Sequence, residues 1–100
     1  MSIIHTVVFS LKHQPGSSEE AAFLQTGRET LSEIPGVHDF RIRRQVSTFS
    51  AFRFQFSMVF DDQAAYSAYN IHPSHVDFVE NRWKREVSEF REYDFVDAEL

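Results

Sequence analysis

The chain of 100 residues contains no cysteine, only three glycines and only three prolines. Because thiols are absent, disulfide frameworks, thiolate catalysis and cysteine-rich zinc sites are excluded, and a reducing compartment is permitted. No apolar run approaches the ~20 residues that a membrane-spanning helix needs. The apolar start is interrupted by His5 and followed by no small-residue cleavage site, so no signal peptide is predicted. We therefore expect a soluble, cytoplasmic protein.

Positive charge is also scarce, since the formal net charge is -5 at pH 7. Nucleic-acid binding depends on clustered lysine and arginine, which contact the phosphates. The only basic cluster consists of Arg41, Arg43 and Arg44, and in an acidic chain it is more typical of a solvated strand edge than of a phosphate site. Neither nucleic acid nor a membrane is therefore expected as a partner.

Apolar side chains, by contrast, are plentiful. Hydrophobic residues make up 42% of the chain, and 11 residues are phenylalanine. This composition suffices for one compact core, and a chain of this length is too short for two, so we predict a single domain over residues 1–100. The bulky aromatic side chains allow a packed core without metal or disulfide staples.

Hydrophobic periodicity predicts the order strand, helix, strand, strand, helix, strand. This order is typical of an α+β fold, a ferredoxin-like βαββαβ antiparallel sheet with helices on one face. The predicted elements are a strand over Ile3–Leu11, a helix from a Ser17/Glu20 capping box to about Glu33, strands over 37–46 and 52–60, a short helix from Asp61 or Asp62 through Tyr69, a second helical stretch with a Val76, Val79, Trp83 and Val87 stripe up to about Ser88, and a last strand.

The sheet face away from the helices also carries apolar residues, among them Ile4, Val8 and Val59. A face exposed to water does not need these side chains. A second copy of the chain would bury them, and closed two-fold dimers are the commonest oligomers. We therefore expect a homodimer through the sheet face, with a barrel-like interior.

The stretch YNIHPSHVDF concentrates a tyrosine and two histidines around Pro73. An imidazole can accept a proton near neutral pH, and a phenol can donate a hydrogen bond to a developing oxyanion. The pattern makes His75 a candidate catalytic base and Tyr69 a candidate polariser of a carbonyl group, and His5 can face the same cavity from the sheet. Carbon–carbon bond formation beside a carbonyl needs such a pair and no metal or redox cofactor.

Each of these residues also has a structural interpretation. His72, directly before Pro73, can hydrogen-bond the backbone at a helix start, and His75 and His5 can be structural histidines with satisfied hydrogen bonds. Tyr69 can belong to the core with its hydroxyl at the rim, and Trp83 can be core rather than a ligand-stacking residue. Zinc requires three or four convergent ligands, and the two neighbouring histidines have no further ligand in reach, so no metal site is predicted.

Four stretches of the chain resemble the Dabb family, the stress-responsive dimeric α+β barrel domains: HTVVFSLK, IPGV, FDDQAAYSAYNIHPSHVDFV and YDF. The resemblance runs from about Ile3 to Val96, and its most specific part is Tyr69-x-x-His72-Pro73-x-His75. It implies a ferredoxin-like monomer and a homodimer whose two sheets form a barrel. Many members of the family have no assigned reaction.

The best known enzyme of the family is a plant polyketide cyclase, and the resemblance to it implies roles for individual residues. His75 matches its catalytic histidine, Tyr69 matches the tyrosine that activates the substrate carbonyl, and His5 and His72 match two further histidines. Gly27 stands where that cyclase has a tyrosine in its pocket. The departure removes a polar anchor for a polyketide substrate.

Two functions follow as alternatives. The first is a homodimer that binds a small apolar, phenolic or polyketide-like molecule, with His5, His72 and Trp83 as ligand contacts and with cofactor-free cyclase, lyase or isomerase chemistry. The second is a non-catalytic structural or stress-associated dimer. A cavity that joins Tyr69, His75 and His5 favours the first, whereas a space filled by side chains such as Phe23, Phe54 and Trp83 favours the second.

Overall fold

The computed structural model describes all 100 residues and contains one four-stranded antiparallel sheet in the order β2-β3-β1-β4. The elements are β1 (Ile3–Leu11), α1 (Ser18–Leu31), β2 (His38–Arg44), β3 (Phe54–Phe60), α2 (Gln63–Ile71), α3 (Pro73–Phe78), a π-helical segment (Val79–Trp83), α4 (Lys84–Glu86) and β4 (Val87–Phe95). The ferredoxin-like α+β fold predicted from the periodicity is confirmed. No helix is both long enough and apolar enough to cross a lipid bilayer.

Strand β1 is one of the two central strands of the sheet, and its alternate side chains are buried against the helices. This inner face consists of Ile3, His5, Val7, Phe9 and Leu11, as the alternation predicts. Strands β3 and β4 pair with β1 on either side in antiparallel register. The single polar residue of the face, His5, is thereby held beneath the helices.

Helix α1 begins at the predicted cap. The Ser17 side chain accepts a hydrogen bond from the Glu20 N–H at 3.2 Å, and the Glu20 carboxylate accepts one from the Gly16 N–H at 2.9 Å. The return bond of a capping box usually goes to the cap residue itself, so here it reaches one residue earlier. The helix ends at Leu31, slightly before the expected end, and the turn after it uses Gly36 in the left-handed region at φ 91°.

The core between sheet and helices is built mainly from phenylalanine. Phe9, Phe23 and Phe56 are fully buried, with ring centroids 4.7 Å apart for Phe9 and Phe56. Gly27 allows this packing, because a Cβ atom at that position would lie 2.8 Å from Cζ of the Phe56 ring. The space beside Gly27, where the resemblance implies a pocket tyrosine, is therefore filled by the Phe56 ring of the core.

In the second half of the chain, the buried residues differ from those that the periodicity predicts. Val76, predicted to lie on the buried stripe of the second helix, is 45% exposed, whereas Phe78 is buried. The π-helical segment places an additional residue in one turn, so the buried face shifts relative to an α-helical pattern. Val87 belongs to β4 and not to the helix. Strands β2 and β3 are shorter than predicted, with Val46 and Phe52 outside them.

Candidate functional site

A cavity of about 320 Å³ lies between the inner face of the sheet and the helices. It joins His5 from β1 with Tyr69 and His75 from the helices. Its walls are mainly apolar, formed by Val7, Leu31, Phe56, Met58, Phe78, Val79 and Phe90 among others. A mostly apolar cavity with a few convergent polar groups is the usual form of a small-molecule site.

The junction between α2 and α3 brings Tyr69 and His75 together. Tyr69 lies in the last turn of α2, and α3 begins at Pro73, where the missing N–H of proline is tolerated. His72 between them has an extended backbone, with φ -63° and ψ 135°, so the chain changes direction there. The ring centroids of Tyr69 and His75 are consequently only 4.4 Å apart.

The hydrogen bonds of His75 define its neutral form. Its Nδ1 lies 3.1 Å from the backbone carbonyl oxygen of Asn70. A carbonyl oxygen can only accept, so Nδ1 carries the proton and the lone pair resides on Nε2. Burial lowers the pKa of His75 and outweighs the bond to Asn70, which raises it. At neutral pH the side chain is therefore an uncharged imidazole with an available acceptor nitrogen.

Tyr69 has the complementary property. Its side chain is 2% exposed, and its hydroxyl forms no hydrogen bond within the chain. Burial raises the pKa of Tyr69, and the nearby Tyr66 and Glu92 raise it further, so the phenol remains protonated at physiological pH. The O–H group is available to donate a hydrogen bond to a molecule in the cavity.

His5 is held by two partners that the sequence pattern did not reveal. Its Nδ1 lies 2.6 Å from Oδ1 of Asp94, and the Tyr66 hydroxyl donates to Oδ2 of Asp94 at 3.0 Å. The carboxylate can only accept, so it fixes the proton of His5 on Nδ1. His5 and Asp94 are directly opposite each other on β1 and β4. Only this long-range strand register brings them together.

The two remaining predicted residues, His72 and Trp83, differ in their position relative to the cavity. His72 does not line the cavity; its Nδ1 accepts a hydrogen bond from the Ser74 N–H at 3.1 Å and caps α3. Trp83 does line the cavity and also packs against the core, with its ring 4.9 Å from Phe9 and 5.6 Å from Phe90. The predicted residues that meet at the cavity are thus His5, Tyr69, His75 and Trp83.

Three further polar residues line the cavity and were not identified from the sequence: Asn70, Lys84 and Glu92. Glu92 lies opposite Val7 in the β1–β4 pairing, on the same face as His5. The alternation of Phe90, Glu92 and the residues around them is the only local signal for this placement. No group of three or more histidine or acidic side chains converges as a metal site would require.

The fold, and half of the residues, are shared with a known structure. A Dabb family protein with a ferredoxin-like fold from Mesorhizobium loti is 50% identical, with a TM-score of 0.97 and 98% of each chain covered. No curated protein matches the chain in sequence.

More distant structures share the fold alone. A dimeric ferredoxin-like protein of unknown function from Thermobifida fusca is 15% identical, with a TM-score of 0.77 and coverage of 95% of this chain and 90% of the other. A hydroxynitrile lyase from Passiflora edulis is 12% identical, with a TM-score of 0.83 and coverage of 99% and 95%. The family model of Dabb, the stress responsive A/B barrel domain, matches residues 3–97, and the chain therefore belongs to the Dabb family.

Proposed function

We propose that the chain forms a homodimer that binds a small, largely apolar phenolic or polyketide-like molecule in this cavity and transforms it by cofactor-free cyclase or lyase chemistry. One observation carries the proposal. A neutral imidazole with a free Nε2 and a protonated phenol without an internal partner line the same apolar cavity, with ring centroids 4.4 Å apart. A structural dimer has no need of such a pair.

The chemistry that these groups support is proton transfer next to a carbonyl. Nε2 of His75 accepts a proton from the carbon beside a substrate carbonyl, while the Tyr69 O–H donates a hydrogen bond to the oxyanion that develops. The resulting enolate carbon attacks a second carbonyl carbon of the same molecule. The imidazolium then returns its proton to the new alkoxide, so the ring closure is redox-neutral and needs no additional reactant.

The reverse process, cleavage of a carbon–carbon bond, uses the same groups. His75 removes the proton of a hydroxyl group, the carbon–carbon bond breaks to give a carbonyl, and the imidazolium returns the proton to the leaving carbanion. A hydroxynitrile lyase, an enzyme of this general reaction class, has the same fold as the present chain. At 12% identity this likeness supports the capacity of the fold for lyase chemistry and nothing more specific.

Binding is tested with a thermal-shift screen of phenolic, quinone-like and polyketide compounds, followed by calorimetry of the hits. We expect wild type to be stabilised and Tyr69→Phe to bind roughly threefold to tenfold more weakly, because one hydrogen bond contributes ~0.5–1.5 kcal/mol. His75→Gln retains binding and loses turnover. His38→Gln, an exposed histidine outside the cavity, is the matched control. If no compound stabilises wild type, the non-catalytic structural dimer is the better explanation.

The homodimer is proposed through the sheet face opposite the helices. Ile4, Tyr93 and Phe95 lie on that face and are 40%, 49% and 51% exposed in the single chain. Contact between this face and the identical face of a second copy would remove these apolar groups from water. That the similar protein from Thermobifida fusca is dimeric supports the formation of a homodimer. We expect twice the monomer mass in dilute solution and dissociation in Phe95→Glu; a wild type of monomer mass would contradict the proposal.

A further inference from the structure

One wall of the cavity carries a carboxylate without a cationic partner. Glu92 lies on β4 opposite Val7, faces the helices and lines the cavity. Its side chain forms no ion pair with the arginines, lysines or histidines of the chain; the ion pairs involve other acidic residues, namely Asp39, Asp61, Asp94, Glu20, Glu80 and Glu86.

The other charges near the cavity have partners. Lys84 also lines the cavity, but its Nζ lies 2.6 Å from a carboxylate oxygen of Glu80. Asp94 is engaged by His5 and Tyr66 and does not itself line the cavity. His75 is neutral at physiological pH because burial lowers its pKa. Glu92 is therefore the formal charge at the cavity that no opposite charge within the chain offsets.

The influence of this carboxylate extends across the cavity. Its charge raises the pKa of Tyr66 and of Tyr69 on α2 and raises the pKa of His75 on α3, in each case as a smaller contribution than burial. These groups lie on the helices that cover the sheet, opposite the strand that carries Glu92. A molecule between them experiences the same negative potential.

We infer that Glu92 determines the charge selectivity of the cavity, which accepts neutral or cationic aromatic ligands such as phenols and benzylamines and rejects carboxylates of the same shape. This inference rests on the proposed small-molecule function and narrows its ligand class. A ligand carboxylate would lie close to this unneutralised negative charge, and like charges repel each other even at the exposed Glu92, where water screens part of the interaction. A phenol hydroxyl or an ammonium group can instead donate a hydrogen bond to Glu92.

Three compounds of nearly equal size test the selectivity: 4-propylphenol, 4-propylbenzoate and 4-propylbenzylamine. Their dissociation constants are measured by calorimetry at neutral pH and low salt for wild type, Glu92→Gln and Glu33→Gln. The last variant removes an exposed carboxylate away from the cavity and so reproduces the change in net charge. We expect wild type to bind the benzoate roughly threefold to fivefold more weakly relative to the phenol than Glu92→Gln does, as for two like charges at contact distance that water screens.

A second measurement is independent of any ligand. The pKa of His75 is followed by NMR titration in the same three proteins, with His5, Asp94 and Lys84 unchanged. Loss of the Glu92 charge removes a contribution that raises this pKa, so the pKa of His75 falls in Glu92→Gln and stays constant in Glu33→Gln.

The outcomes separate the two proposals. If the phenol binds wild type but the benzoate binds equally well, or if Glu92→Gln leaves the ratio unchanged, the assignment of Glu92 is refuted and the cavity remains a ligand site. If none of the compounds binds wild type while the pKa of His75 still responds to Glu92→Gln, the electrostatic effect exists and the small-molecule function fails. An unchanged pKa of His75 also counts against Glu92.

Discussion

Asp94 connects three elements of the fold through its two carboxylate oxygens, and its removal gives a measurable prediction. Oδ1 lies 2.6 Å from Nδ1 of the buried His5 on β1, and Oδ2 accepts a hydrogen bond at 3.0 Å from the hydroxyl of Tyr66 on α2. Asp94→Ala leaves both polar groups without this acceptor. The change therefore weakens the attachment of edge strand β4 to the centre of the fold.

The expected size of the effect follows from the geometry. A hydrogen bond to a charged group contributes ~1.5–3 kcal/mol to stability. The Asp94 side chain is 43% exposed, so water competes for it and the lower part of this range applies. The Tyr66 hydroxyl also lies 3.0 Å from Nδ1 of His5, and this contact replaces part of the loss. We expect Asp94→Ala to lower the free energy of unfolding by about 2 kcal/mol and Asp94→Asn by about 1 kcal/mol.

A double-mutant cycle with Tyr66→Phe isolates the contact. Urea unfolding at fixed protein concentration gives the free energies, since the stability of the proposed dimer would depend on concentration. We expect a coupling energy of about 1 kcal/mol between the two positions and no effect from the exposed Asp97→Ala. A loss below about 0.5 kcal/mol in Asp94→Ala, or additive single changes, would refute the reasoning.

Two further predictions concern other contacts. Burial raises the pKa of Glu86, but hydrogen bonds from Arg82 and His13 outweigh this effect and lower the pKa below 4.5. Glu86→Gln should therefore lower the free energy of unfolding by about 1 kcal/mol at neutral pH. In urea unfolding, this difference between wild type and Glu86→Gln should disappear as the pH falls through the lowered pKa. Gly27→Ala gains ~1 kcal/mol of helix propensity but forces Phe56 to move at ~1–3 kcal/mol, so a net loss of about 1 kcal/mol is expected and a higher melting temperature would contradict it.

The sequence predicted those parts of the fold that depend on local pattern. The alternation in β1 identified its buried face, and Ser17 identified the start of α1, because each signal lies within a few residues of the feature it specifies. The spacing around Pro73 likewise indicated that Tyr69 and His75 belong to adjoining helices. Proximity along the chain made these features predictable.

The partners of His5 were not predictable in the same way. Asp94 is 89 positions away, and its contact with His5 depends on the pairing register of β4, which no local pattern specifies. The same register places Glu92 at the cavity. Periodicity also misplaced Val76, which is exposed although Val79 and Trp83 of the same predicted stripe line the cavity, because a constant 3.6 residues per turn does not hold through the π-helical segment.

The π-helical segment Val79–Trp83 makes the cavity dependent on the number of residues in this part of the chain. Deletion of a single residue there would close the wide turn into an ordinary α-helical turn and move the side chains within the segment relative to the helical turns on either side. Trp83, the last residue of the segment, would then shift against the rings of Phe9 and Phe90. Natural variants of this fold that keep a comparable cavity should therefore accept substitutions within the segment far more readily than deletions.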